Sequence, residues 1–145
     1  MNVKHILERK GSAVTTIATN ATIGEAARTL AEARIGAIVV SNDGATINGI
    51  LSERDIVRMI GTDGPGALTR PVTEAMTANV ITCNPEDRIN VLMSMMTQRR
   101  IRHLPVAENG KMTGLISIGD VVKERMDEIE SDAAAMRDYI TGMTA

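Results

Sequence analysis

At 145 residues and 43% hydrophobic, the chain is long enough for one core or two small cores that share an interface, and too apolar for disorder. A net charge of −2, with both signs mixed along the chain, gives no basic footprint for duplex nucleic acid, and one aromatic residue, Tyr139, leaves no stacking platform for single strands. Cys83 is the only cysteine and His5 and His103 are far apart, so neither an intrachain disulfide nor a structural zinc centre is expected.

The N-terminus lacks the apolar stretch of a signal peptide, and no apolar run nears the ~18 residues of a membrane span, so a cytoplasmic protein with no membrane partner is expected. Ten methionines adapt to irregular gaps in a core without aromatics.

In chain order, residues 2–10 predict a short polar-rich helix, and Thr15 to Ala18 an extended stretch. Ile23, Ala26, Ala27, Leu30, Ala31 and Ala33 recur at helical spacing, with Asn20 or Thr22 as the cap. Ala37 to Val40 reads as a buried strand, Asn42-Asp43-Gly44 as a turn, and Ile47 to Leu51 as the returning strand. A helix begins near Ser52 or Asp55, and the Gly/Pro-rich stretch Gly61 to Val72 reads as a linker.

The same order then recurs. Val80 to Cys83 is extended. A helix carries Ile89, Leu92, Met93 and Met96, with Pro85 and Asp87 near its start. Leu104 to Val106, the turn Glu108-Asn109-Gly110, and Met112 to Ile116 predict a second hairpin. From Ser117 or Asp120 a long charged helix runs to about Thr141, past the acidic stretch Asp127-Glu128-Ile129-Glu130, and offers a surface to a partner.

Thr15–Ile60 overlays Ile81–Arg125 at a constant offset, with one residue near Ile47 skipped. Ile35-Gly36-Ala37-Ile38-Val39-Val40 falls on Ile101-Arg102-His103-Leu104-Pro105-Val106. Gly49-Ile50-Leu51-Ser52-Glu53-Arg54-Asp55 falls on Gly114-Leu115-Ile116-Ser117-Ile118-Gly119-Asp120. The boundaries read as a first repeat over 12–62, a linker over 63–75, a second repeat over 76–126, and a C-terminal helical extension over 127–145.

These repeats resemble the CBS domain, named after cystathionine β-synthase. The resemblance rests on Leu104-Pro105-Val106, on the two Gly-apolar-x-Ser-x-x-Asp steps, and on Met76-Thr77 before the second copy. It covers about residues 12–126, and the nearest likeness is to stand-alone bacterial CBS-pair proteins. It implies an α/β (α+β) fold of two β-α-β-β-α repeats packed about a pseudo-twofold axis, here with a short N-terminal and a long C-terminal helix. It also implies a regulatory module that binds AMP first, with ADP, ATP, NAD(H) or S-adenosylmethionine as the other candidates, and that signals to an unnamed client. A disc-like homodimer carried by apolar helix faces belongs to the same expectation. The flanks are short, so no catalytic domain and no catalytic cofactor are expected.

By family geometry, the strands of one repeat face the Ser-x-x-Asp of the other. One site would set Ser52, Arg54 and Asp55 against Thr82, Ile101, Arg102 and His103. The other would set Ser117 and Asp120 against Thr16, Ile35, Gly36 and Ala37. A carboxylate accepts from two ribose hydroxyls, so Asp55 and Asp120 are the leading candidates, although Ser and Asp at these places also cap helices. Ser52 and Ser117 are weaker candidates of the same two kinds, and Thr16 and Thr82 read equally as ligand contacts or as strand formers.

In Arg99-Arg100-Ile101-Arg102-His103, at least one of Arg102 and His103 is expected on phosphate with Arg54, while Arg99 and Arg100 read as solvated cations at a helix end. Gly36 and Ala37 leave the other site roomier and less positive, suited to NAD(H). Cys83 reads as buried packing. No nucleophile, base and orienting group stand in a pattern, which argues against an enzyme. The competing reading is a scaffold that binds no nucleotide and works through the C-terminal helix.

Overall fold

Both middle helices of the first repeat start on the same device. Thr22 caps α2 (Ile23–Ala33) by accepting from Glu25 N–H while Glu25 reaches back to Thr22 N–H. Ser52 and Asp55 do the same for α3 (Glu53–Asp63). Helix α4 (Ile89–Arg99) lacks a side-chain cap, and Asp87 instead accepts from Asn84 N–H at 2.9 Å in the preceding turn. Both α2 and α4 end on an arginine in the left-handed region, Arg34 at φ 55° and Arg100 at φ 56°, a first mark of the internal symmetry.

The computed structural model describes residues 1–144. The first repeat is a three-stranded sheet in which β1 (Thr16–Ile17) runs parallel to β2 (Ala37–Val40), and β2 pairs antiparallel with β3 (Gly49–Ser52). The second repeat has the hairpin β4 (His103–Glu108) and β5 (Lys111–Ser117), with a bulge between Val106 and Ala107. Its counterpart of β1 shrinks to a single bridge, Cys83 to Val106. The next rung would need an N–H on Pro105, and proline has none.

The segments before each repeat change places. Helix α1 (Val3–Lys10) buries Val3 and Ile6 among Ile89, Leu92, Met96, Leu104 and Ile116 of the second core. Between the repeats run two short 3-10 turns, Pro65–Thr69 and Val72–Glu74, and Val72 is buried with Ile23, Ile38 and Leu51 in the first core. The backbone bonds match one to one: Val72 N–H to Ala21 and Ile23 N–H to Arg70 in one half, Val3 N–H to Asp87 and Ile89 N–H to Met1 in the other. Residues 2–10, read from sequence as lying outside the repeats, are thus built into the second core.

This crossing explains the glycine that opens each Gly-apolar-x-Ser step. A Cβ on Gly49 would collide with Met76 and lie 2.9 Å from Thr77 O, and one on Gly114 would lie 2.7 Å from Leu7 Cδ2. Helix α5 (Ile118–Thr144) leaves β5 and packs Val121 into the second core before running on into solvent.

Candidate functional site

A cavity of about 770 Å³ lies between the repeats. The end of β3 and the start of α3 form one wall with Ile50, Ser52, Glu53, Arg54 and Asp55. The approach to the second repeat supplies Thr77, Asn79, Val80 and Ile81. The end of α4 and the start of β4 close it with Arg99, Arg100, Ile101, Arg102 and His103, while Gly36, Ser117 and Ile118 complete the lining.

Its chemistry divides into three parts. Ile50, Val80, Ile81, Ile101 and Ile118 make an aliphatic slot, a wall against which a flat heterocycle can lie in a chain without Phe or Trp. Asp55 Oδ2 accepts from Ser52 N–H at 2.8 Å and from Ser52 Oγ at 2.9 Å, while Oδ1 has no hydrogen bond among the described residues. Asp55 therefore caps α3 with one oxygen and keeps the other for an incoming donor. Four arginines, Arg54, Arg99, Arg100 and Arg102, line the cavity, and none makes an ion pair among the described residues. Unpaired guanidinium groups around one hollow favour a polyanion such as a phosphate chain.

His103 is half-buried beside them. Burial pushes its pKa below the ordinary 6.5, assisted by Lys10 and Arg102 and opposed by Glu53 and Asp120, so the ring is neutral at pH 7. Gly36 O accepts from Glu53 N–H at 3.0 Å, and Arg102 O accepts from Ile118 N–H at 2.8 Å, so each repeat ties down its own helix start in the same way.

Residues 3–62 and 72–127 match the family model of the CBS domain. The chain belongs to the CBS domain family. It folds as a CBS pair with a long C-terminal helix, and it is similar to the crystal structure of a CBS-domain containing protein from Agrobacterium tumefaciens. The two are 46% identical with a TM-score of 0.83, over 86% of this chain and 99% of that one. A CBS domain protein from Pyrobaculum aerophilum complexed with AMP is 29% identical with a TM-score of 0.72, over 83% of this chain and 89% of that one.

Among curated relatives, the mitochondrial CBS domain-containing protein CBSX3 of Arabidopsis thaliana is 34% identical over 86% of this chain, which spans 62% of that protein. CBS pairs also recur inside enzymes: arabinose 5-phosphate isomerase GutQ of Salmonella typhi is 33% identical over 83% of this chain, which spans 37% of that enzyme.

The CBS-pair cleft gathers Ser52, Arg54, Asp55, Ile101, Arg102 and His103, as family geometry implies, and it gathers Gly36 and Ser117 as well. Thr82 does not line it. The neighbouring Asn79, Val80 and Ile81 do, and Cys83 beyond them sits in the second core, its thiol buried and pushed up to about 12. Arg99 and Arg100, expected as solvated cations, are exposed and also line the cleft. Alternation along the approach to Cys83 pointed to nothing, whereas Thr77 belongs to the Met-Thr step already visible in the sequence.

Of the residues expected in the other site, only Gly36 and Ser117 line this cleft. Thr16, Ile35, Ala37 and Asp120 do not line the cleft. Ala37 is buried in the sheet, and Ile35 packs against the first core. Asp120 is already engaged: Lys10 Nζ donates to Asp120 Oδ2 at 2.7 Å and to Leu115 O at 3.0 Å. Burial raises the Asp120 pKa, but Lys10 and the Ser117 N–H outweigh it and hold the carboxyl below its usual range.

Among the described residues no group of three or more His, Cys, Asp or Glu side chains could hold a metal, and no helix is long and apolar enough to cross a membrane.

Proposed function

We propose that the chain is a non-catalytic regulatory module that binds one phosphorylated adenosine in the Asp55 cleft. AMP is the first candidate, and ADP, ATP and NAD(H) are the others. The observation that carries this reading is the joint presence of a free Asp55 carboxylate oxygen, an aliphatic slot and four unpaired arginines around one cavity. Asp55 would accept from the ribose hydroxyls, the adenine would lie between Ile81, Ile101 and Ile50, and Arg102 with Arg54 would take the phosphate. The AMP complex of the Pyrobaculum aerophilum relative supports the ligand class.

Lys10 keeps ligand from Asp120, because a ribose would have to displace an ammonium already bonded to that carboxylate. Ligand that bridges Ser52–Asp55 of one repeat and Arg102–His103 of the other favours one arrangement of the pair, and a client protein would read that preference through linkage.

Thermal unfolding of the full chain with AMP, ADP, ATP, NAD⁺, NADH and S-adenosylmethionine tests the reading. A ligand that binds the native state raises the midpoint, and the rise should vanish in Asp55→Ala. No rise with any member of the set, in folded protein, would overturn the reading and leave the scaffold role.

A further inference from the structure

The last part of α5 leaves the body. Toward the body it presents Val121 and Glu124, both buried, and Arg9 holds Glu124 at 3.2 Å and Asp127 at 2.6 Å. Past residue 128 nearly every position is exposed. A helix of 27 residues is about 40 Å long, and its outer half has no tertiary packing to stabilise it.

That half is not patterned as a solvated helix. Val122, Met126, Ile129, Ala133, Met136 and Ile140 alternate at spacings of four and three, the seam of a coiled coil with Met126, Ala133 and Ile140 at a, and Val122, Ile129 and Met136 at d. Met126, Ile129, Met136 and Ile140 are each at least 52% exposed. The seam centres more than a third of a turn from the face that carries Val121 and Glu124, so a second helix can lie along it clear of the body.

The flanking charges choose the partner and its direction. Position g holds Arg125 and Asp132, and position e holds Lys123, Glu130 and Arg137. In a parallel pair of identical helices each g residue meets the next e residue of its neighbour, so Arg125 would face Glu130 and Asp132 would face Arg137, opposite signs both times. An antiparallel pair in register on the same seam would oppose Lys123 to Arg137, Glu130 to Glu130 and Asp132 to Asp132, all like charges. Within one chain Arg125 reaches Glu128 at 3.2 Å, a partly exposed pair that a partner's Glu130 could share.

We infer that the C-terminal helix forms a parallel two-stranded coiled coil with a second copy of this chain. The surface is distinct from the ligand cleft, so the inference stands whether or not a nucleotide binds there.

The test uses the full chain under mild oxidation with single cysteines added at Ile129→Cys, at the seam, and Asp138→Cys, on the outer face. Native Cys83 is buried and stays out of the reaction. The expected result is a disulfide-linked dimer from Ile129→Cys and not from Asp138→Cys. In the Ile129→Cys chain Asp132→Arg should lower the rate of disulfide linking by about tenfold, and adding Arg137→Asp should restore it. These substitutions lie beyond the packed part of the helix, and circular dichroism checks that the body is intact. A monomer at tens of micromolar, equal linking at both positions, or linking only when Ile129→Cys and Ala133→Cys chains are mixed would overturn the parallel coil.

Discussion

The two Ser-x-x-Asp corners of this CBS pair start from the same local structure and end in opposite states. In each, a serine at the end of a strand caps the following helix, and an aspartate three residues on bonds back to the serine N–H, at 2.8 Å for Asp55 and 2.9 Å for Asp120. Beside Asp55 stand four unpaired arginines and an open cavity. Beside Asp120 stands Lys10, bonded to it. Capping geometry is thus the constant, and the cation beside each carboxylate is what differs; under the proposed function that difference decides which corner takes a ligand.

The largest expected effect comes from Asp55→Ala. Loss of a carboxylate bonded to ribose hydroxyls should weaken AMP about 100-fold, roughly 3 kcal/mol, by isothermal titration. The same change at Asp120 should leave AMP affinity within about twofold, because Asp120 is outside the proposed cleft. Equal losses at both positions would erase the distinction between the corners.

Lys10→Ala should sharpen it. The ion pair is partly exposed, so its loss should cost about 1 kcal/mol or less in stability. Stoichiometry is the telling readout, and it should rise from one nucleotide per chain toward two at high ligand. If it stays at one, something other than Lys10 closes that corner.

Arg102→Ala should cost about tenfold for AMP and more for ATP, with a shallower dependence on salt, since a guanidinium on phosphate acts through charge. Equal losses for adenosine and AMP would move Arg102 off the phosphate.

The smallest effect concerns pH. The folded pKa of His103 lies below its ordinary 6.5, so the unfolded chain takes up the proton first. Its contribution to stability is present above that value and shrinks as pH falls through it. A phosphate nearby favours the imidazolium, so binding takes up a proton and AMP affinity should rise as pH falls through the same range. His103→Asn should flatten both trends in urea-unfolding and titration series.

Much of this was legible in the sequence because the repeats carry it twice. The turn at Asn109-Gly110, the apolar strands and the Ser52 and Asp55 cap are local signals, and family geometry supplied the facing partners Ile101, Arg102 and His103. The crossing of the lead-in segments was not legible. Val3, Ile6 and Leu7 lie in a short polar helix whose three apolar positions look incidental until the second core closes over them. Lys10 was invisible for a related reason: it precedes the first repeat and acts on the second, a contact over more than a hundred residues that no local period announces. Arg99 and Arg100 were read as helix-end cations, a role their left-handed exit allows, while the same turn also carries them to the cleft.

Calorimetric titration of AMP into the full chain, alongside Asp55→Ala and Asp120→Ala, tests the central claim most directly. The account predicts one site per chain, lost in Asp55→Ala and kept in Asp120→Ala. Two equivalent sites, or a single site lost only in Asp120→Ala, would contradict it.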